Sequence, residues 1–103
     1  MGAFTLTQLA KEDLKSIARF TEERWGRMQR NLYLKQFDDI FQLLADSPSI
    51  GAACDFIKSG YRKFPKGSHI VYYKVGADEQ VIIIRVLHKN MDVNSSLVIA
   101  KPS

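Results

Sequence analysis

The chain begins with one short alternating segment followed by a helical pattern of hydrophobic residues. Residues 3–6 alternate between apolar and polar side chains, which predicts a short strand. Thr7 comes next and is suited to be a helix N-cap, because its hydroxyl can accept from free backbone amides. Apolar and small residues then recur at helical spacing as far as Trp25. Gly26 interrupts this pattern in the way that a C-terminal glycine does, so the first helix should end there.

A second helical pattern follows directly. Apolar side chains recur between Tyr33 and Leu44 at the spacing of one helix face. Pro48 cannot continue the helix and biases the residue before it away from helical geometry, so we expect the helix to end near Asp46. Two helices joined by so short a break should form an antiparallel hairpin.

The second half of the chain changes to the pattern of strands. Residues 56–63 tolerate β structure, and residues 65–67 read as a turn. Residues 69–75 are rich in β-branched and aromatic side chains, residues 76–78 read as a hairpin turn, and residues 81–87 form the strongest strand, apolar on both faces. The predicted order is β-α-α-β-β-β. It describes an α+β fold in which a mostly antiparallel sheet packs on a helical hairpin.

Arg85 is the exception in this strongest strand. Strict alternation places residues 82, 84 and 86 on one face and residues 83, 85 and 87 on the other. A guanidinium among aliphatic side chains is costly unless it is paired or solvated. Two interpretations remain open: an internal ion pair with Asp55 or Asp92, or a concave basic site that Arg85 shares with Arg62 and Lys63.

Length and charge refine this picture. The chain has 103 residues, of which 46% are hydrophobic, so residues 1–103 should form one domain around one core. It carries 15 Lys and Arg against 11 Asp and Glu, a net charge of +4. Residues 1–53 contain seven basic and seven acidic side chains, so the whole excess lies in the second half. From Lys58 to Lys74 there are five cations and no carboxylate.

A basic cluster with interleaved aromatic residues lies within this stretch. Such a composition is typical of a nucleic-acid surface, and it would serve an acidic protein partner equally well. A solvated sheet edge is the alternative, because lysines discourage edge-to-edge pairing. The cluster consists of Tyr61, Arg62, Lys63, Lys66, Tyr72 and Tyr73.

The sequence contains few residues suited to disulfide, metal, cofactor or acid–base chemistry. Cys54 is the single cysteine, which excludes an internal disulfide and suggests a reducing, cytoplasmic location. With His69 and His88 as the only histidines, we expect no metal site, and without a glycine-rich phosphate loop we expect no cofactor. His88 could act as a general acid or base, or simply form local hydrogen bonds. The longest aliphatic run, residues 81–84, is too short to cross a membrane, and no export signal is evident.

Several motifs together resemble a known family. They are Arg24-Trp25-Gly26 between the helices, Asp46-Ser47-Pro48-Ser49-Ile50-Gly51, Gly60-Tyr61-Arg62-Lys63, Gly67-Ser68-His69-Ile70-Val71-Tyr72-Tyr73, and Ile84-Arg85-Val86-Leu87-His88-Lys89-Asn90-Met91-Asp92. In this order they resemble the ParE toxins of the RelE/ParE superfamily, from the first strand to the last motif. The fold of that family, a helical hairpin against an antiparallel sheet, agrees with the predicted elements.

The resemblance implies the toxin of a type II toxin–antitoxin system. Such a toxin would inhibit DNA gyrase by binding it, without catalysis, and would meet DNA only indirectly, through the antitoxin or gyrase. A ParD-type antitoxin would neutralise it with an extended segment. Trp25 is expected to be buried at the hairpin bend, and we expect the antitoxin to cover a sheet face and groove lined by Tyr61, Arg62, Tyr73 and Arg85. The full set expected to bind antitoxin or target is Tyr61, Arg62, Lys63, Tyr73, Arg85 and His88.

The alternative is a RelE-like ribosome-dependent mRNA endoribonuclease. Arg62, Arg85 and His88 could supply part of its phosphate-binding and acid–base set. No tyrosine, histidine or other aromatic residue follows His88, however, so that set is incomplete. Residues 90–103 lack strong periodicity, and we expect a partner to order them.

Overall fold

The computed structural model describes residues 2–91, and residues 92–103, including the greater part of the tail expected to need a partner, lie outside this range. Two helices pack on one five-stranded sheet, which confirms the predicted α+β class and the helical hairpin. One short strand, which follows the 3₁₀ turn, was not predicted. The elements are β1 (Phe4–Leu6), α1 (Gln8–Trp25), α2 (Arg27–Asp46), a 3₁₀ turn (Pro48–Ile50), β2 (Ala52–Ala53), β3 (Arg62–Lys66), β4 (His69–Val75) and β5 (Val81–His88).

The start of α1 at Thr7 and its end at Gly26 are found where the sequence predicted them. Thr7 is extended, and its hydroxyl oxygen accepts from the Ala10 amide at 3.0 Å, which caps α1. The same hydroxyl donates to the carbonyl of Ile84 at 2.8 Å, so the cap also ties the start of α1 to β5. Gly26 has φ of +92° and separates α1 from α2, a conformation that residues with a Cβ rarely adopt.

The sheet has the order β1-β5-β4-β3-β2, with β1 parallel to β5 and all other pairs antiparallel. The turn predicted at residues 65–67 lies later in the chain: Pro65 pairs with Ile70 inside β3, and residues 67 and 68 form the connection from β3 to β4. Proline is tolerated here because β2 stops pairing at Lys63, which leaves the rest of β3 at an edge. The strand expected over residues 56–63 begins later than predicted: turns occupy residues 55–57 and 59–60, and β3 starts only at Arg62.

A β-bulge in β5 overturns the strict alternation of its side chains. Tyr72 of β4 is aligned with Arg85, whereas the next residue, Tyr73, is aligned with Ile83, so Ile84 is an extra residue in β5. As a result Ile83 and Val86 both belong to the core on the helix side of the sheet. The bulge thus shifts which residues of β5 face the helices, a change that the sequence pattern alone does not reveal.

The sheet buries apolar side chains on both faces. The inner core lies between the sheet and the helices, and the outer cluster covers the opposite face, with no helical member. Buried members of the inner core are Ala10, Ile17, Phe37, Phe41, Leu44, Ala45, Val71, Tyr73, Val81, Ile83 and Val86. The outer cluster consists of Cys54, Tyr72 and Leu87, flanked by Ile57, Tyr61, Ile70 and Ile84.

Tyr73 connects the inner core to the 3₁₀ turn. Its side chain is completely buried, and its hydroxyl donates to the carbonyl of Pro48 at 2.7 Å and accepts from the amide of Gly51 at 2.9 Å. A Cβ on Gly51 would lie 2.2 Å from this hydroxyl oxygen, so only glycine fits. The motif at residues 46–51 therefore anchors this segment of the chain to the hydroxyl of Tyr73 through two hydrogen bonds.

Replacing Tyr73 by phenylalanine should destabilise the fold by about 1–3 kcal/mol, because the buried amide of Gly51 would lose its partner. Urea unfolding of Tyr73→Phe against the unmodified chain measures this loss. Tyr61→Phe is the matched control, since Tyr61 only flanks the outer cluster, and it should change stability little. Equal stability of Tyr73→Phe and the unmodified chain would contradict the role assigned to this hydroxyl.

Candidate functional site

The residues of the predicted basic site divide between the two faces of the sheet. Arg62 is aligned with Tyr73 and so lies on the helix side, where its Nη1 donates to the carbonyl of Gly51 at 2.6 Å. Lys63 belongs to the opposite face, and its Nζ lies 5.9 Å from the centre of the Phe56 ring. These cations therefore do not form one continuous patch.

The aromatic members of the predicted set are equally dispersed. Tyr73 is completely buried in the inner core, so its side chain is not available to a docked partner in this structure. Tyr61 is half-buried against the outer cluster. The expected sheet face lined by Tyr61, Tyr73 and the two arginines does not exist as a single surface. His88, the remaining member, ends β5 and lines a groove elsewhere.

Arg85 forms an internal ion pair, the first of its two interpretations, with a partner that was not predicted. Its Nε donates to Oδ2 of Asp13 at 2.8 Å and its Nη2 donates to Oδ1 at 2.9 Å. Each side chain is only 14% exposed, and the carboxylate raises the pKa of Arg85. Asp55 instead accepts from the amide of Gly60, and Asp92 lies outside the described residues.

Asp13 also completes the edge of β5. The short strand β1 ends at Leu6, and the last backbone bond on this side runs from the amide of Thr7 to the carbonyl of Ile83 at 3.1 Å. Beyond it, the amide of Val86 donates to Oδ2 of Asp13 at 3.0 Å. One carboxylate therefore satisfies both a guanidinium and a strand amide that β1 is too short to reach.

An apolar groove of about 750 Å³ lies between the helices and the β3–β4 turn. Trp25, the last residue of α1, lines this groove and is 62% exposed, so the expectation that it is buried at the hairpin bend is wrong. It packs edge-on against Phe20, which is 55% exposed. We call this feature the helix–sheet groove; its lining is Ser16, Ile17, Phe20, Thr21, Trp25, Gln29, Tyr33, Gly67, Ser68, His69 and His88.

A tyrosine and two histidines lie together in the helix–sheet groove. The hydroxyl of Tyr33 is 2.9 Å from Nδ1 of His69, and the rings of His69 and His88 meet edge-on with their centres 5.6 Å apart. Burial is the main cause that lowers the pKa of His69, the charge of His88 lowers it further, and Asp13 opposes both. The lowered pKa favours the neutral imidazole of His69.

Two cations stand over aromatic side chains that line the helix–sheet groove. The guanidinium of Arg24 lies 5.3 Å from the centre of the Trp25 ring and 5.4 Å from that of Phe20. Nζ of Lys66 lies 5.1 Å from the centre of the Tyr33 ring. The groove thus combines apolar walls with positive charge beside three of its aromatic residues, a composition suited to binding.

The described residues offer little for other chemistry. Residues 2–91 contain no group of three or more His, Cys, Asp or Glu side chains that could hold a metal ion. Burial raises the pKa of the Cys54 thiol, which disfavours the thiolate needed for attack. Over the same residues, neither helix is both long and apolar enough to span a membrane.

Sequence reasoning missed most of the helix–sheet groove. Phe20 falls outside the predicted apolar stripe of α1, and a large aromatic residue on a polar helix face was the available signal. Asp13 also lies outside that stripe and gave no signal, because its partner is 72 residues away. His69 was noted as a titratable group, but its contacts with Tyr33 and His88 arise only from the packing of α2 on the sheet.

Comparisons with known proteins agree on one family. A family model described as the ParE toxin of the type II toxin–antitoxin system parDE matches residues 4–93. Toxin ParE1 of Mycobacterium tuberculosis strain H37Rv is 38% identical over 94 residues, which cover 91% of this chain and 96% of the relative. Toxin ParE1 of Caulobacter vibrioides is 36% identical over 97 residues, covering 94% and 99%.

A solved structure has the same fold. A chain from a chromosomal ParDE TA system from P. aeruginosa superposes with a TM-score of 0.73. The alignment covers 85% of this chain and 96% of the other, at 17% sequence identity.

Removing the guanidinium of Arg85 should destabilise the fold by about 2 kcal/mol, because Asp13 would keep a nearly buried charge without its cation. Urea unfolding of Arg85→Ala measures this loss. The matched control is Lys35→Ala, which breaks an exposed ion pair with Asp39 and should change stability little. Undiminished stability of Arg85→Ala would contradict a structural role for this ion pair and would instead favour the interpretation of Arg85 as a binding residue.

The stability of the fold should decrease in acid through His69. Because the folded protein lowers the pKa of His69, its contribution is complete above the unfolded value of about 6.5 and is lost as pH falls below it. Urea unfolding at about pH 7.5 and about pH 5 should show a smaller loss for His69→Gln than for the unmodified chain. An equal loss in both would show that His69 does not contribute.

Proposed function

The chain belongs to the ParE toxin family of type II toxin–antitoxin systems, and on this premise we propose that it inhibits DNA gyrase by binding and is neutralised by a ParD-type antitoxin. In this proposal the chain is not an enzyme. Its effect comes from occupying a surface of gyrase, and the antitoxin acts by occupying a surface of the toxin.

The observation that carries the proposal is the helix–sheet groove. Exposed aromatic side chains, in particular Phe20 and Trp25 beside Arg24, have the composition of residues that dominate the energy of protein–protein interfaces. A domain of this size gains nothing for its own stability from leaving two aromatic rings more than half exposed. This favours a protein as the partner.

The arrangement of the arginines argues against the endoribonuclease alternative. A nuclease of that kind needs cations that can move onto a scissile phosphate. The side chains of Arg85 and Asp13 are both largely buried and are joined by two hydrogen bonds. Arg62 donates to the carbonyl of Gly51. The His69–His88 pair could in principle transfer protons, but neither Arg62 nor Arg85 lines the groove in which this pair lies.

A gyrase supercoiling assay with the purified full chain tests the proposed target. We expect supercoiling to fall and cleaved DNA to accumulate as the toxin is added in excess over gyrase, because inhibition by binding is stoichiometric. Preincubation with an equimolar ParD-type antitoxin should restore supercoiling. Unchanged supercoiling without cleaved DNA would exclude gyrase as the target.

A primer-extension assay on ribosome-bound mRNA separates the alternative. The proposal expects no ordered cuts in the mRNA at toxin concentrations that inhibit gyrase. Cuts at the ribosomal A site, abolished in His69→Gln, would favour the endoribonuclease. Together the two assays distinguish a wrong target from a wrong class of activity.

A further inference from the structure

We propose that the exposed face of α2 pairs with the same face of a second copy of this chain, so that the toxin alone forms a weak antiparallel dimer about a two-fold axis. This inference goes beyond the proposed function, because it concerns neither gyrase nor the antitoxin. We call this face the α2 ridge; its members are Met28, Leu32, Lys35, Asp39 and Leu43.

The α2 ridge is the side of the helix that points away from the core. At 100° per residue its five members fall within about 80° of one another, on the side opposite Phe37 and Phe41. Met28 is 87% exposed, and Leu32 and Leu43 are each about half exposed. Large apolar side chains that line up on the solvent side of a helix are typical of a surface that binds another protein.

The charges of the α2 ridge complement themselves. Lys35 and Asp39 form an exposed ion pair one turn apart, and Phe37 lies midway between them in the sequence. When two such helices run antiparallel with residue 37 opposite residue 37, Lys35 of each copy stands opposite Asp39 of the other. The two ion pairs then form one cluster of four alternating charges. A parallel pairing in register would instead place like charges opposite each other, so the antiparallel arrangement is selected.

The same register brings the apolar members together. Residue 32 of one copy stands opposite residue 42 of the other, so Leu32 lies beside Leu43 of the second copy, and Met28 lies one turn further along. The central charges are therefore flanked by two identical apolar clusters, one on each side of the two-fold axis. The steps of four, three and four residues from Met28 to Asp39 are those of a contact between two helices.

The α2 ridge and the helix–sheet groove are separate surfaces. From α2, Gln29 and Tyr33 line the groove, and they lie about 80° and about 120° around the helix from Asp39, the middle of the ridge. No member of the α2 ridge lines the groove. A partner can therefore occupy the groove while the two ridges remain paired.

The size of the contact sets its strength. One helix from each copy buries less than the about 1,600 Å² of a standard interface, so the dimer should dissociate at micromolar concentrations. Salt screens exposed charges, so the dimer should also be weaker at high ionic strength.

Sedimentation equilibrium of the purified full chain at low salt measures the dimer over concentrations of about 5–500 μM. We expect the mass to approach that of two chains at the upper end. Lys35→Asp and Asp39→Lys should each stay monomeric, because each places four like charges at the centre of the contact. Lys89→Asp and Glu79→Lys are the matched controls, since they change the net charge equally at exposed positions outside α2. A single-chain mass over the whole range would overturn the proposal.

Mixing the two charge variants tests the register itself. An equimolar mixture of Lys35→Asp and Asp39→Lys should restore the dimer, because the two carboxylates of one chain then face the two ammonium groups of the other. A chain that carries both substitutions should dimerise with itself but not with the unmodified chain, and it shows that α2 tolerates the changes. Persistent dimers of either single variant, or a mixture that stays monomeric, would contradict the proposed register.

The apolar members are tested in the same way. Leu32→Gln and Leu43→Gln should each weaken the dimer at least about tenfold, because each substitution acts on both apolar clusters. Phe56→Gln is the matched control, since Phe56 is exposed outside the α2 ridge, and it should leave the dimer unchanged. If Phe20→Gln dissociates the dimer and Leu32→Gln does not, the copies meet through the helix–sheet groove and the proposal is wrong.

Discussion

A single carboxylate, that of Asp13, joins the helical hairpin to the interior of the sheet. It binds the guanidinium of Arg85 through two hydrogen bonds and also accepts from the amide of Val86, where β1 is too short to continue the ladder. The position of α1 over β5 depends on this contact together with the Thr7 cap. The groove depends on it in turn, because α1 supplies one wall and the ends of β4 and β5 supply the histidines.

The excess of positive charge in the second half does not form the single basic surface that the sequence predicted. Its cations are dispersed: Arg62 donates to a carbonyl on the helix side, Lys63 stands over Phe56 on the other face, and Arg85 is paired internally. Lys66 stands over Tyr33, which lines the helix–sheet groove, and Arg24 from the first half, whose net charge is zero, stands over Trp25, which also lines it. The surface suited to a partner is thus built by packing elements from both halves, which no count along the chain reveals.

Local signals predicted the helices, the Thr7 cap, the Gly26 break and the two long strands, because each depends on residues close in sequence. The predictions that failed depend on distant contacts. The bulge at Ile84 changes the faces of β5 through its register with β4, and Pro65 is tolerated only because β2 has already ended. The exposure of Trp25 is of the same kind, since helical periodicity identifies a face of α1 but not how much of that face the sheet covers.

The central claim is that the partner binds the helix–sheet groove rather than the dispersed basic residues of the sheet. Hydroxyl-radical footprinting of the toxin alone and in complex with a ParD-type antitoxin tests it most directly, because it reports the exposure of individual side chains. The account predicts strong protection of Phe20 and Trp25, with Phe56 and Tyr61 oxidised as in the free toxin. Protection of Phe56 and Tyr61, with Phe20 and Trp25 unchanged, would contradict it.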